Sequence, residues 1–348
     1  MMYLRRGGEP PKRPEVSQIE GDPLAIGDEY LSDFQDVDDV EIYTDYRRMI
    51  AEAPIDAVND FTTHALHHQV ASAAFAEKKH LLSQKPLAVS VRAAQRMCEE
   101  AERRGLTFAV FENFRQSPGT RALGWALQEG RLGPAQMVLV GYVGTWWAPD
   151  KIVAETPWRH AAREGGGISL DLGVHFFDQI RYVAGELETV SAVTRVLEPQ
   201  RHDDAGTVIA CDADDTVIAA ARTEIGTAVS LTASWAGHGA ATLFGSGTVY
   251  YGTQGRVAGD EVTFDDGSTR SLMEWFEHDA DAGLKSRLFP LELRDSFALN
   301  QFDWLEAIRE RRPAETTGRE GLRALAAAYS LVESAAAGRE VAVADVLD

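Results

Sequence analysis

The 348-residue chain reads as an α/β layer on a parallel sheet, incomplete or degenerate at its start, followed by an α+β region with a large open, mostly antiparallel sheet. Two observations carry this reading. Between Ile55 and Phe111 short apolar runs alternate with segments of helical period, the pattern of parallel strands with helices on both faces. Beyond Ser117-Pro118, strand-like runs follow one another through tight turns, as hairpin-linked antiparallel strands do. The length suits about two domains, placed at 1–116 (with 1–42 atypical) and 117–348, the C-terminal helices packing back.

Pro10, Pro11, Pro14 and Pro23 interrupt the first stretch, and acidic residues crowd Asp28 to Asp39. No apolar strand there runs into a G-x-G-x-x-G turn, so the segment reads as extended, with a short helix near Asp28–Phe34. Glu41-Ile42-Tyr43 is a short strand candidate, and Tyr46, Met49 and Ile50 give Asp45–Ala53 a helical period. Ile55–Phe61 is a strand that enters a polar turn at Thr62-Thr63-His64, and His67–Glu77 is an Ala-rich helix. Leu81-Leu82 begins a strand that ends at Gln84-Lys85-Pro86. Ser90 caps a helix through Arg104 that Gly105 closes, and Thr107–Phe111 is the next strand. A helix over Arg121–Glu129 then leads to Gly133-Pro134. Strands are expected at Gln136–Tyr142, Thr189–Leu197, Val217–Thr223, Ala228–Trp235, Ala241–Tyr251 and Glu261–Phe264. Helices follow at Ser296–Arg311 and Arg319–Ala337, the second closed by Gly338.

A formal charge of −20 disfavours nucleic acids and anionic membranes as partners, because both are bound by cations that neutralise phosphate. No apolar run reaches the ~20 residues that span a bilayer. Arg5-Arg6 have no apolar segment behind them, so no secretory signal is expected and the chain reads as cytoplasmic. Cys98 and Cys211, the only cysteines, are too few for a disulfide framework or a zinc cluster, and no metal site is expected.

The chemistry concentrates in Gly165-Gly166-Gly167-Ile168-Ser169-Leu170-Asp171-Leu172-Gly173-Val174-His175. The glycines allow a tight turn or a close approach to a ligand. On a helix Asp171 and His175 share a face one turn apart, which suits an acid/base imidazole oriented by a carboxylate. A core helix with a capping Asp and a hydrogen-bonded His has the same pattern. Two further sites sit at the carboxyl ends of predicted parallel strands, where open α/β sheets bind ligands: Thr62–His67 and Gln84-Lys85-Pro86. A lysine there can hydrogen-bond a hydroxyl and lower its pKa.

Together these stretches resemble the glucose–fructose oxidoreductase/inositol dehydrogenase (Gfo/Idh/MocA) family from about Tyr43 onward. The resemblance rests on an ordered set of motifs. Tyr43-Thr44-Asp45-Tyr46, Ile55-Asp56-Ala57-Val58, Thr62–His67, Lys85-Pro86-Leu87 and Asn113-Phe114-Arg115 come first. Pro157-Trp158-Arg159, Gly165–His175, Tyr251–Gly255 and Thr317-Gly318 follow.

It implies a Rossmann-like domain and NAD- or NADP-dependent oxidation or reduction of a CH–OH group in a sugar, cyclitol or related polyol. It further implies Lys85 on the reacting oxygen, His175 as general acid/base and Asp171 orienting substrate or His175. Thr62, Thr63, His64, His67, Gln84, Lys85, Asn113, Trp158 and Arg159 would then contact the cofactor. A homo-oligomer closed over the open sheet is implied as well. Two other family activities are compatible with the fold: cleavage of glycosides through transient oxidation, and sugar or nucleotide sensing without turnover. The sequence departs from the family at Gln84, Thr63 and His64, where Glu, Pro and Asn are usual, and in the missing glycine turn. Trp146 and Trp147, with Asp150 and Lys151, suit a sugar-stacking wall or an ordinary interface pair. His238, between two glycines, reads as a solvated loop histidine or a ligand contact.

Overall fold

A computed structural model describes residues 43–144, 156–202, 206–238 and 247–347. Residues 1–55 form one unit, whose described part holds the helix Tyr46–Glu52, capped by the Asp45 carboxylate on the Arg47 N–H at 2.9 Å. The readings made for 1–42, including the missing glycine turn, lie outside the described residues, as do Trp146, Trp147, Asp150 and Lys151.

The second unit, Asp56–Asp348, holds two main sheets. The first is parallel, in the order β1 (Ala57–Asp60), β2 (His80–Gln84), β3 (Phe108–Phe111). The helices His67–Ala76 and Val91–Arg104 connect its strands. Ser90 caps the second through the Ala93 N–H, and Gly105 ends it with φ at +66°. Phe75 meets Phe108 edge-on at 5.3 Å. Trp304 and Ala307 of the helix Ser296–Glu310 join Leu82, Ala109, Phe111 and Ala314 in one buried cluster. Every residue of β3 is buried, which is why Phe-Ala-Val-Phe reads as a continuous apolar run instead of an alternating one.

The chain returns to this sheet at its end. The Thr316 carbonyl accepts the Val110 N–H at 2.8 Å, capping the outer edge of β3 before the helix Gly318–Ala337 begins. A Cβ on Gly318 would lie 2.3 Å from the Phe108 ring, so glycine is what lets this helix lie on the strand. The helix then reaches the second sheet, where the Ser334 hydroxyl accepts the Ala192 N–H at 2.9 Å.

That second sheet is built from β4 (Ala135–Val143), β5 (Leu187–Arg195), β8 (Thr216–Thr223), β9 (Ala228–Ser234) and β10 (Gly247–Gly252). β11 (Gly255–Ala258), β12 (Glu261–Phe264), β13 (Thr269–Ser271) and β14 (Val341–Ala342) complete it. The hairpin β6 (Gln200–His202) and β7 (Val208–Ala210) stands apart. The order is β13-β12-β11-β10-β4-β9-β8-β5-β14, and only the β4–β9 pair is parallel. The sheet is therefore mixed, although mostly antiparallel. Tyr251–Gly255, read from sequence as a turn, is the hairpin between β10 and β11.

Burial alternates along β8 and β9: Val217, Ala219, Val229 and Leu231 are buried, while Ile218, Ala220, Ala228 and Ser230 are exposed. One face is thus packed and the other open. Register aligns Val193, Ile218, Thr232 and Gly141 across the open face, and Ser191, Ala220, Ser230 and Leu139 in the next row.

Candidate active site

Two charge systems meet at the carboxyl ends of the parallel strands. β2 ends at Gln84, Lys85 follows it, and the Lys85–Pro86 peptide is cis. Gln84 Oε1 accepts the Lys85 N–H at 2.9 Å. Lys85 Nζ donates to Asp171 Oδ1 and to the Asp171 carbonyl, each at 2.8 Å. The other Asp171 oxygen, Oδ2, accepts from Arg159. Asp171 is 1% exposed and Lys85 12%, so the triad lies largely out of water. Burial opposes the charge on Asp171, but Arg159 and Lys85 hold its carboxyl well below the usual range. Burial lowers the Lys85 ammonium, with Asp171 opposing the shift and Arg159 adding to it.

The glycine run builds this triad from behind and does not itself form a ligand cradle. A Cβ on Gly166 would lie 2.5 Å from the Trp158 carbonyl oxygen and 2.6 Å from that of Arg159. A Cβ on Gly167 would strike Asp214, whose carboxylate accepts the Ser169 hydroxyl at 2.6 Å. Gly165 and Gly167 adopt φ of +74° and +107°. The chain folds back closely enough to set Arg159 against Asp171.

The second system differs from the sequence expectation. Asp171 ends a short helix, Ile168–Asp171, and a separate helix, Gly173–Ala184, carries His175. His175 does not pair with Asp171. Its Nδ1 lies 2.7 Å from Glu112 Oε2, both residues being buried, and the Phe114 ring stacks on it at 4.2 Å with 10° between planes. Burial lowers the His175 pKa against the pull of Glu112. Arg115, next along, makes a two-point ion pair with Asp178, one turn after His175. Glu112 was not singled out from sequence, and Phe114 only as part of Asn113-Phe114-Arg115. The available signal was position: both directly follow the third predicted parallel strand.

The remaining candidates divide. His64 is buried beside the triad, and its Nδ1 donates to the Gly165 carbonyl at 3.1 Å. Burial lowers its pKa to about 3, so at neutral pH the ring is uncharged with Nε2 left to accept. Thr62 N–H and hydroxyl both bond Asp60 Oδ1, at 3.0 and 2.6 Å, in a turn that closes β1. Thr63 is half-buried beside it. His67 is fully buried, its ring nitrogens 2.9 Å from the Pro86 carbonyl and 3.1 Å from that of Thr62. It braces the two strand ends and presents no surface to a cofactor. Asn113 and Trp158 are half-buried. His238 is exposed and hydrogen-bonds Glu198. Cys98 and Cys211 are buried and free, and burial pushes the Cys98 thiol up to about 12. Among the described residues no group of His, Cys, Asp and Glu is placed to hold a metal, and no helix is long and apolar enough to cross a membrane.

The profile described as "Oxidoreductase family, NAD-binding Rossmann fold" matches residues 22–112, and "Oxidoreductase family, C-terminal alpha/beta domain" matches residues 126–343. The chain is 25% identical to a myo-inositol 2-dehydrogenase of Thermotoga maritima over 307 residues, 88% of this chain and 85% of that protein. It is 27% identical to a D-apiose dehydrogenase of Paraburkholderia graminis over 308 residues, 86% of this chain and 76% of that protein. The fold matches a levoglucosan dehydrogenase in complex with NADH and levoglucosan with a TM-score of 0.71 at 23% identity, covering 86% of this chain and 83% of that chain.

Proposed function

Because the chain belongs to the Gfo/Idh/MocA family of oxidoreductases, we propose that it oxidises or reduces a CH–OH group of a sugar, cyclitol or related polyol with NAD or NADP. One observation carries the reading: a buried Lys85 ammonium held on Asp171 stands beside a buried imidazole, His175, that is held by a carboxylate. When bound, the nicotinamide accepts or delivers the hydride. The donor set fits it. His64 offers an uncharged ring with an acceptor nitrogen, suited to the N–H groups of a carboxamide, next to Thr62, Gln84 and Lys85 at the strand ends.

Oxidation of a carbinol removes a hydride from carbon and a proton from oxygen. Lys85 spends two of its three N–H bonds on Asp171 and keeps one for the substrate oxygen, where its charge favours loss of the proton. His175, with its pKa lowered, is neutral near pH 7 and takes that proton. Lys85 bonds one oxygen of the Asp171 carboxylate and Arg159 the other, so Asp171 positions Lys85. Trp158 and Arg159 would flank cofactor or substrate. The halves 1–116 and 117–348 would serve cofactor and substrate respectively.

The open face of the large sheet supports a homo-oligomer. Its central rows are uncharged, and Ile218 and Val193, partners in register, are 56% and 51% exposed.

Titration of the full chain with NADH and NADPH, followed by reduced-nicotinamide fluorescence, tests the reading first. We expect saturable binding to at least one, then turnover of a polyol that falls by about 10²–10⁴-fold in Lys85→Ala and His175→Ala. Binding of neither nucleotide would refute it.

A further inference from the structure

We propose that Glu112 is the positioning residue of His175: by accepting the Nδ1 hydrogen it fixes the tautomer and aim of the ring, so that Nε2 is the atom that exchanges the substrate proton. This rests on the acid/base reading of His175 given above and adds a residue to it.

A carboxylate only accepts hydrogen bonds, so the 2.7 Å contact places a hydrogen on Nδ1. In the neutral ring Nε2 then carries the lone pair, and among the described residues it has no hydrogen-bond partner. Glu112 stands at the imidazole where Asp171 was expected, while Lys85 and Arg159 bond the two oxygens of Asp171.

One short segment after β3 supplies both the hydrogen-bond partner and the stacked ring of His175. Glu112 sets the rotation about its axis, and Phe114, stacked at 4.2 Å, sets its plane. The Glu112 N–H is anchored on the Val110 carbonyl at 3.0 Å. The Arg115–Asp178 pair ties the same segment to the helix that carries His175, one turn further on. Segment and helix are therefore joined at two points, and His175 cannot turn away from Glu112 without breaking one of them. As the ring accepts a proton, its new charge appears against a carboxylate already in place, with little reorganisation. Three groups act on this titration. Glu112 and Asp171 favour the charged ring, and Lys85 opposes it.

Two measurements test this on the full-length protein. Nitrogen-15 NMR of histidine-labelled chain, with His175 assigned by its loss in His175→Asn, is expected to show the Nδ1–H tautomer. An Nε2–H tautomer would overturn the proposal without touching the oxidoreductase reading. In Glu112→Gln we expect kcat to fall by about 10²-fold or more, with KM and the Kd for NADH within threefold. The acid limb of the kcat profile for oxidation is expected to move to lower pH, since the group that favours the charged ring is gone, and Glu112→Asp to recover part of the loss. A kcat within threefold of wild type with an unmoved limb would overturn the proposal. If Glu112→Gln does not fold, the tautomer in the wild-type chain decides. A chain that shows the Nδ1–H tautomer and binds NADH, yet oxidises no polyol, supports the contact and overturns the activity it is proposed to serve.

Discussion

Replacing Asp171 with Asn keeps the shape of the side chain and removes one negative charge from between two cations. The site is dry: Asp171 is 1% exposed, Lys85 Nζ is 2.8 Å from Oδ1, and Arg159 bonds Oδ2. At an effective dielectric of about 20, unit charges 4 Å apart interact by about 4 kcal/mol. Desolvation of the carboxylate offsets part of two such attractions, and loss of one partner from a buried pair costs about 3–5 kcal/mol. Urea unfolding at pH 7 should therefore show Asp171→Asn to be less stable by at least about 3 kcal/mol, read as a lower midpoint at unchanged slope.

The pH dependence has a definite sign. Burial and Arg159 already lower the Lys85 pKa, and Asp171 opposes them. Without Asp171 the folded value falls further below that of the unfolded lysine. Between the two values the unfolded chain binds more protons, so stability rises with pH. The deficit of the variant should shrink as pH is raised from neutral toward about 10. A deficit under about 1 kcal/mol, or one that stays constant from pH 6 to pH 10, would refute the claim that Asp171 holds a charged Lys85 in a dry site.

Acid should unfold the protein through its buried neutral histidines. Burial lowers His64 to about 3 and His160 to about 4 from 6.5. The folded state therefore binds fewer protons than the unfolded state, and stability falls as pH drops below the unfolded value of about 6.5. By pH 5 each contributes a loss of about 2 kcal/mol. Urea midpoints from pH 7 to pH 5 should show a shallower slope in His160→Phe, and an equal slope would remove His160 from the account. Ile218→Arg, on the open face of the large sheet, should halve the mass measured by light scattering while leaving the circular dichroism spectrum unchanged; a wild-type chain that is already monomeric would remove the proposed interface.

Local structure was legible where a single short-range rule decided it. Ser90 and Gly105 bound their helix as expected, and the alternating pattern of β8 and β9 places Val217, Val229 and Leu231 inside. The strands β11, β13 and β14 are two to four residues long, too short to show a period, and they exist because longer neighbours offer them an edge. Lys85, Asp171 and His175 stood out in the sequence as candidates, but their pairings did not. A Glu in front of Asn-Phe-Arg reads as a solvated residue until the fold brings it to a histidine 63 positions later. His67 has the sequence look of a ligand residue, but both its nitrogens face backbone carbonyls.

A single residue, Leu172, separates the helix that ends at Asp171 from the one that begins at Gly173. On one continuous helix, Asp171 and His175 would lie one above the other. The two side chains nonetheless face different partners. Asp171 then serves Lys85 and Arg159, and His175 turns to Glu112. The charged groups that act on the imidazole are one cation, Lys85, and two carboxylates, Glu112 and Asp171. A proton taken by His175 places a positive charge against Glu112 and opposes that on Lys85. Lys85 and Glu112 thus pull His175 in opposite directions, and a ring poised between them can both accept the proton in oxidation and return it in reduction.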